Sequence, residues 1–225
     1  MQWKCESAMQ SARIVSFDLD GTLTDISFVD SVWSEGVPRQ YALKNDVPFE
    51  VAKRRVMSEY GKVGRERLEW YDLSYWIRRF GLDVSPEEIL SSFQHRIMIY
   101  PEVHDVLEMF RDKGFRLIIV TNARREFVDL ELEKTNILPY FERVFSSTSD
   151  FGLIKNAVSV YRKVCSICDV LPGEVVHVGD DSSFDFDVPS KLGIMAFYLD
   201  RTGKHSGEFV IRSLKELTGK LARST

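Results

Sequence analysis

The chain has 225 residues, 44% of them hydrophobic, with 30 Lys and Arg against 34 Asp and Glu and a net charge of -4. That length and composition suit one large domain or a core with a smaller module, and the near balance of charge, with no run of one sign, argues against nucleic acid and anionic membrane as partners. A small molecule is the expected partner, and no feature of the sequence fixes an oligomeric state.

Three cysteines (Cys5, Cys165, Cys168) are too few, and odd in number, for a disulfide framework. The longest apolar runs are strand-length, far short of a membrane span. A reducing, cytoplasmic setting is the expectation. The opening residues MQWKCESAMQSAR lack the apolar centre of a secretion signal, and Met9 falls just ahead of the first apolar run, which marks the residues before it as an extension or a misplaced start.

In chain order, the first element is an apolar strand over residues 14–17 that runs into Asp18, Leu19, Asp20, Gly21 and Thr22. Residues 26–100 follow with no convincing strand and with helical spacing at 28–34, 49–59, 66–80 and 86–96, the last opened by Ser85 as N-cap and Pro86 at the first helical position. An interval of that length is too long for a connection and predicts a separate helical module. Pro101 marks the return to the core. A helix is predicted over 102–113, ended by Gly114, then a strand over 116–120, a loop over 146–152, a helix over 157–168 and a strand over 175–178. A strand over 194–199, a polar loop over 202–207, a closing strand and a helix over 213–221 complete the chain. Alternation of this kind predicts an α/β fold around a parallel sheet, with residues 1–25 and 101–225 forming the core and 26–100 the insertion.

The carboxyl ends of these strands carry the polar residues that chemistry needs. Side chains two apart on a strand share a face, so Asp18 and Asp20 open onto one cleft, and Gly21 lets the chain turn sharply behind them. Two close carboxylates raise each other's pKa unless a cation or a shared proton relieves them, which predicts a metal site, acid/base work, or both. The second strand ends at Thr121 and Asn122, where open α/β sheets place their ligands. Lys155 supplies a cation for an anionic substrate at the start of the 157–168 helix, and the 175–178 strand ends at Gly179, Asp180 and Asp181, with Asp185 and Asp187 beyond. Each of these alone fits a turn, a cap or a solvated surface; their arrival at one sheet edge gives them a joint meaning.

Other features have plainer readings. Cys165 and Cys168 have the spacing of a redox or zinc pair, but no second pair exists and a helix face makes them packing residues. His95, His104, His177 and His205 are scattered and read as surface or buried structural groups. Arg124 and Arg125 open a helix near substrate or are simply solvated. Lys62, Arg65, Arg67, Trp70, Tyr71 and Trp76 in the insertion suit either a phosphorylated ligand or packing, with packing expected of Trp70 and Trp76.

Asp-x-Asp-Gly-Thr, Thr, Lys and Gly-Asp-Asp in that order resemble the haloacid dehalogenase superfamily, and the resemblance spans nearly the whole chain. It implies a Rossmann-like core flanked by helices, with residues 26–100 similar to the small α-helical cap of that superfamily's first cap class. By the same resemblance Asp18 is the nucleophile and Asp20 the general acid/base. Thr121 and Lys155 are phosphoryl clamps with Asn122 beside them, and Asp18, Asp20 (through its carbonyl) and Asp180 are the ligands of a magnesium ion. Two departures stand out: Asn156 follows Lys155 where many relatives carry proline, and Asp181 and Asp187 add acids beside Asp180 and Asp185. Asp185 is expected to fix Lys155 or a metal-bound water rather than bind metal itself.

The implied activity is magnesium-dependent hydrolysis of a small soluble phosphate monoester through an aspartyl-phosphate. A phosphomutase shares every motif. A 2-haloacid dehalogenase is disfavoured by Asp20, and a receiver-like phosphoacceptor is disfavoured by Asp20 and the helical insertion.

Overall fold

The computed structural model describes residues 12–222; Cys5 and the segment before Met9 lie outside the described residues. Six parallel strands form one sheet: β1 (Ile14–Phe17), β2 (Arg116–Thr121), β3 (Arg143–Ser146), β4 (Val175–Gly179), β5 (Met195–Leu199) and β6 (Val210–Ile211), in the order β3-β2-β1-β4-β5-β6. β1 lies between β2 and β4, with Phe17 opposite Ile119 on one side and Val178 on the other. The order reverses at β1, so the strand that carries Asp18 also borders the crevice where doubly wound sheets bind ligands.

The helices are α1 (Ser27–Ser31), α2 (Val37–Asn45), α3 (Phe49–Val63), α4 (Leu73–Phe80), α5 (Pro86–Phe93), α6 (Val103–Asp112), α7 (Arg125–Thr135), α8 (Ser147–Asp150), α9 (Val158–Cys168), α10 (Val188–Leu192) and α11 (Leu214–Ala222). Period-two alternation splits the sheet's apolar side chains between two layers. Val15, Phe17, Leu117 and Ile119 pack against α6, α7 and α11, while Ile14, Ile118 and Val120 pack against α9 and α10. Cys165 and Cys168 are buried free thiols in that second layer, as expected of packing residues.

Helices α1 to α5 bury an apolar cluster of their own, built around Phe28, Val56, Trp76 and Phe93, which reaches the sheet side through Phe127 of α7. A π-helical turn, Val32–Gly36, joins α1 to α2. At its end a Cβ on Gly36 would lie 2.7 Å from Ile89 Cγ2, so α5 packs directly against bare backbone.

Several elements differ from the sequence reading, each for a local reason. The single helix expected over 66–80 is broken: Asp72 is extended and its carboxylate accepts from Tyr75 N–H at 2.9 Å, so it caps α4, and a short 3-10 turn, Leu68–Tyr71, precedes it. α2 was not foreseen; only Val37 and Pro38 of it are buried, which leaves no apolar stripe to read. β3 is an edge strand of four residues with an exposed arginine, too short to announce itself, and residues 146–152 are its end followed by the one turn of α8. Lys155 does not start a helix: α9 begins at Val158, and Lys155 lies in the preceding turn.

Candidate active site

Asp18 continues β1, its N–H donating to the Val178 carbonyl at 2.9 Å. The chain then turns within Leu19 to Thr24, with Gly21 N–H bonded to Thr24 O at 2.7 Å and Leu23 N–H to Leu19 O at 2.8 Å. Gly21 has φ +76, and a Cβ there would lie 2.1 Å from Asp180 Oδ2, so glycine is needed both for the left-handed backbone and for the space Asp180 occupies. Arg201 holds the outside of the turn. Its guanidinium donates to Gly21 O at 3.3 Å, Thr22 O at 2.8 Å and Glu102 Oε1 at 2.7 Å, and it stacks 3.5 Å above the Tyr100 ring.

Lys155 is buried at the centre of the site. Its ammonium donates to Asp18 Oδ1, to Asp185 Oδ1 at 2.7 Å and to the Val120 carbonyl at 3.1 Å. Its N–H donates to Asn122 Oδ1 at 2.9 Å, and Ser147 Oγ donates to the same oxygen at 2.8 Å, so Asn122 ties the end of β2 to the turn that carries Lys155. Thr121 ends β2, buried, its hydroxyl oxygen accepting from Ala123 N–H at 3.0 Å. Asp185 rests on a buried polar stack: Asp181 N–H at 3.1 Å, His177 Nε2 at 3.1 Å and Tyr161 OH at 3.4 Å, with Ser16 Oγ 2.8 Å from His177 Nδ1. Asp185 thus holds Lys155, as expected, and His177 is a buried structural group. Asp187 is exposed and outside the cavity, and Asp181 caps the turn Ser182–Asp187 through Ser183 and Phe184 N–H.

One oxygen each from Asp18, Asp180 and Asp185 lies within 4.8 Å of the others. Burial pushes the Asp18 carboxyl well up, with Asp185, Asp180 and Asp20 adding to the effect and Lys155 opposing it. Asp180, the more exposed member, is pushed up to about 7 by desolvation at the cavity and then by Asp185, Asp20 and Asp181. Burial works against the Lys155 ammonium, but Asp18 and Asp185 outweigh it and keep it charged. One ammonium among so many carboxylates leaves negative charge uncompensated, and hard oxygen donors at this spacing fit a divalent cation.

Asp20 borders the same cavity, and its Oδ1 is buried with no hydrogen-bond partner among the described residues. Burial raises its pKa, against the lowering effects of Glu131 and Lys155. Glu131 is a residue that the sequence reading missed: fully buried on α7, it accepts from Thr24 Oγ1 at 2.6 Å, and burial followed by Asp20 holds its carboxyl well above the ordinary range. The signal was present, since Phe127, Val128, Glu131, Leu132 and Thr135 form the buried face of one helix and Glu131 is its only acid. Arg201 and Tyr161 were missed because neither lies in a recognisable pattern.

All six of the sequence-selected residues, Asp18, Asp20, Thr121, Asn122, Lys155 and Asp180, border one cavity of about 570 Å³. The helical insertion forms its other wall. Arg65 donates to Asp181 Oδ2 at 2.6 Å and lies 4.5 Å over the Phe184 ring, Asn156 donates to Glu66, and Asn122 Nδ2 donates to Tyr71 OH at 3.4 Å. Asn156, one of the departures, is thus a contact to the insertion. Trp76 is fully buried packing, whereas Trp70 is half-buried and borders the cavity; Lys62 and Arg67 pair with Glu59 and Glu69 outside it. Arg124 borders the cavity too, while Arg125 pairs with Asp150 and does not.

Residues 12–187 match the family model of haloacid dehalogenase-like hydrolases. The chain is 28% identical over 200 residues to a GMP/IMP nucleotidase YrfG from Escherichia coli (strain K12), covering 89% of this chain and 87% of that protein. It is 26% identical to a phosphoglycolate phosphatase from Aquifex aeolicus (strain VF5), covering 80% and 81%. Among solved structures, a HAD phosphatase from Thermococcus onnurineus superposes with a TM-score of 0.83 at 30% identity over 93% of this chain and 97% of that one. With its sheet order, its strand-end residues and these likenesses taken together, the chain belongs to the haloacid dehalogenase-like hydrolases, among their phosphatases.

Proposed function

We propose that this chain is a magnesium-dependent phosphatase that hydrolyses a small soluble phosphate monoester through an aspartyl-phosphate on Asp18. The observation that carries the reading is the floor of the cavity, where the Lys155 ammonium, the Asp18–Asp180–Asp185 cluster and the β2 end with Thr121 and Asn122 meet. The names of the relatives, a nucleotidase and a phosphoglycolate phosphatase, support a small phosphorylated metabolite.

Asp18 and Asp180, with the Asp20 carbonyl, are the groups that would hold Mg²⁺, which when bound supplies positive charge against the phosphoryl oxygens. Lys155 adds a fixed positive charge beside Asp18 and, against the raising effect of burial, favours the ionised carboxylate that attacks phosphorus. Asp20, whose buried Oδ1 is unengaged, gives a proton to the leaving oxygen and then takes one from the water that attacks the aspartyl-phosphate. Its raised pKa suits the first of these tasks. Thr121 and Asn122 hold the phosphoryl oxygens at the end of β2. Residues 26–100 act as a helical cap of the first cap class over a core of residues 1–25 and 101–225, excluding water and contacting the leaving group. Buried free Cys165 and Cys168 agree with a reducing, cytoplasmic setting.

An aryl phosphate separates the two duties of Asp20, because its leaving group needs no proton. With Mg²⁺ present, Asp20→Asn is expected to phosphorylate and then stall, so that mass spectrometry of the acid-quenched protein finds a phosphoryl group on the peptide bearing Asp18. Phosphoryl label on any other peptide, or steady turnover at the wild-type rate, would overturn the assignment.

A further inference from the structure

The cavity is larger and more apolar than a phosphoryl group requires. Beyond the polar floor its wall is aromatic: Trp33, Tyr60 and Trp70 from the insertion and Phe127 from α7. Trp33 lies nearly parallel to Phe127, with centroids 5.6 Å apart and planes at 15°, and Tyr60 stands edge-on to Trp33 at 5.8 Å. Trp76 shows what pure packing looks like in this cluster, fully buried; Trp33 and Trp70 instead keep part of their surface open while bordering the cavity. Open aromatic surface beside a phosphoryl site is ready to take a flat ring.

Polar groups border the same space. Arg124 Nε is buried with no hydrogen-bond partner among the described residues; Glu126 Oε1 stands 3.9 Å from it and Asp72 Oδ2 3.9 Å from Nη2, too far to accept a hydrogen bond, so a ligand acceptor would satisfy the donor. Asp30, exposed at the cavity, offers an acceptor for ligand hydroxyl or N–H groups. A volume of about 570 Å³ lies within the roughly 300–1,000 Å³ of sites that enclose drug-sized ligands. A two-carbon acid phosphate would leave the aromatic wall against water and Arg124 Nε without a hydrogen bond.

Resting on the phosphatase reading, we propose that this cavity selects phosphate monoesters whose leaving group carries a flat heteroaromatic ring, the chemistry of a nucleoside 5′-monophosphate. The base lies against Trp33 and Trp70, with Arg124 donating to a base or ribose acceptor.

Ribose 5-phosphate is the control, since it keeps the sugar and phosphate and lacks only the base. With Mg²⁺, kcat/KM for adenosine or guanosine 5′-monophosphate is expected to exceed that for ribose 5-phosphate by at least about tenfold, the size that base stacking on aromatic side chains provides. In Trp33→Leu, and separately in Arg124→Gln, that ratio shrinks severalfold through KM for the nucleotide. A ratio near one in the wild type, or variants that lower both substrates equally, would overturn the proposal. If no ester releases phosphate, the phosphatase reading fails by itself, and tryptophan fluorescence in chelator still decides this one: quenching by the nucleotides and not by ribose 5-phosphate supports the base site, and equal responses overturn it.

Discussion

Lys155 carries the charge balance of the cavity floor. Its ammonium is shared between Asp18 and Asp185 and is itself nearly inaccessible, 3% exposed at the side chain. Replacing it with methionine keeps the stem's volume and leaves two buried carboxylates without their counter-charge, so Lys155→Met is expected to cost about 3–5 kcal/mol of stability, the range for breaking one side of a buried ion pair. Urea unfolding measures it; a loss under about 1 kcal/mol would show that those carboxylates are protonated in the fold. These residues were legible in the sequence because Asp18, Lys155 and Asp180 each follow a strand or its connection at a fixed place. Glu131 was passed over, since a single acid on an apolar helix face looks like any interruption of that face.

The turn that presents Asp20 is fixed from outside by an element far along the chain. Arg201 follows β5 and holds two carbonyls of the turn while it is anchored by Glu102 and Tyr100. Arg201→Leu is therefore expected to lower kcat well beyond any change in KM, because substrate binding at Lys155 and Thr121 is untouched while the Asp20 turn loses its support. Steady-state kinetics with one good substrate checks this, and a change confined to KM would contradict it. Arg201 carries no local pattern that would mark it, because its contact to the Gly21 carbonyl spans 180 residues. Strands inside the sheet were readable from their apolar runs, and α5 from its Ser85 and Pro86 opening. Elements at the edge, β3 and α2, bury too little to leave a pattern. The 66–80 segment shows the opposite failure: helical spacing continued through a residue, Asp72, whose carboxylate binds backbone and starts a new helix.

Across the whole fold, the excess of carboxylates over Lys155 links stability, pH and metal. Asp180 is raised to about 7 when folded, against roughly 3.9 for an unfolded aspartate. A carboxyl whose folded pKa is raised favours the fold at low pH and loses that contribution as pH climbs from the unfolded value through the folded one. The metal-free protein is thus expected to melt at a lower temperature at pH 8 than at pH 5.5, as far as this cluster is concerned. A cation that replaces those protons should stabilise more at pH 8, because at pH 5.5 it competes with them. Thermal melts with Mg²⁺ and with chelator at both pH values read the difference directly; an equal Mg²⁺ shift at the two would contradict the assignment of Asp180 as a ligand.

Phosphate release from a panel of nucleotide, sugar and two-carbon acid phosphates, with Mg²⁺ and with chelator, beside Asp18→Asn, tests the reading most directly. Turnover that needs Mg²⁺ and vanishes in Asp18→Asn, which keeps the shape of the floor but cannot attack phosphorus, is the predicted result. Turnover that survives in Asp18→Asn, or that is unaffected by chelator, would contradict it.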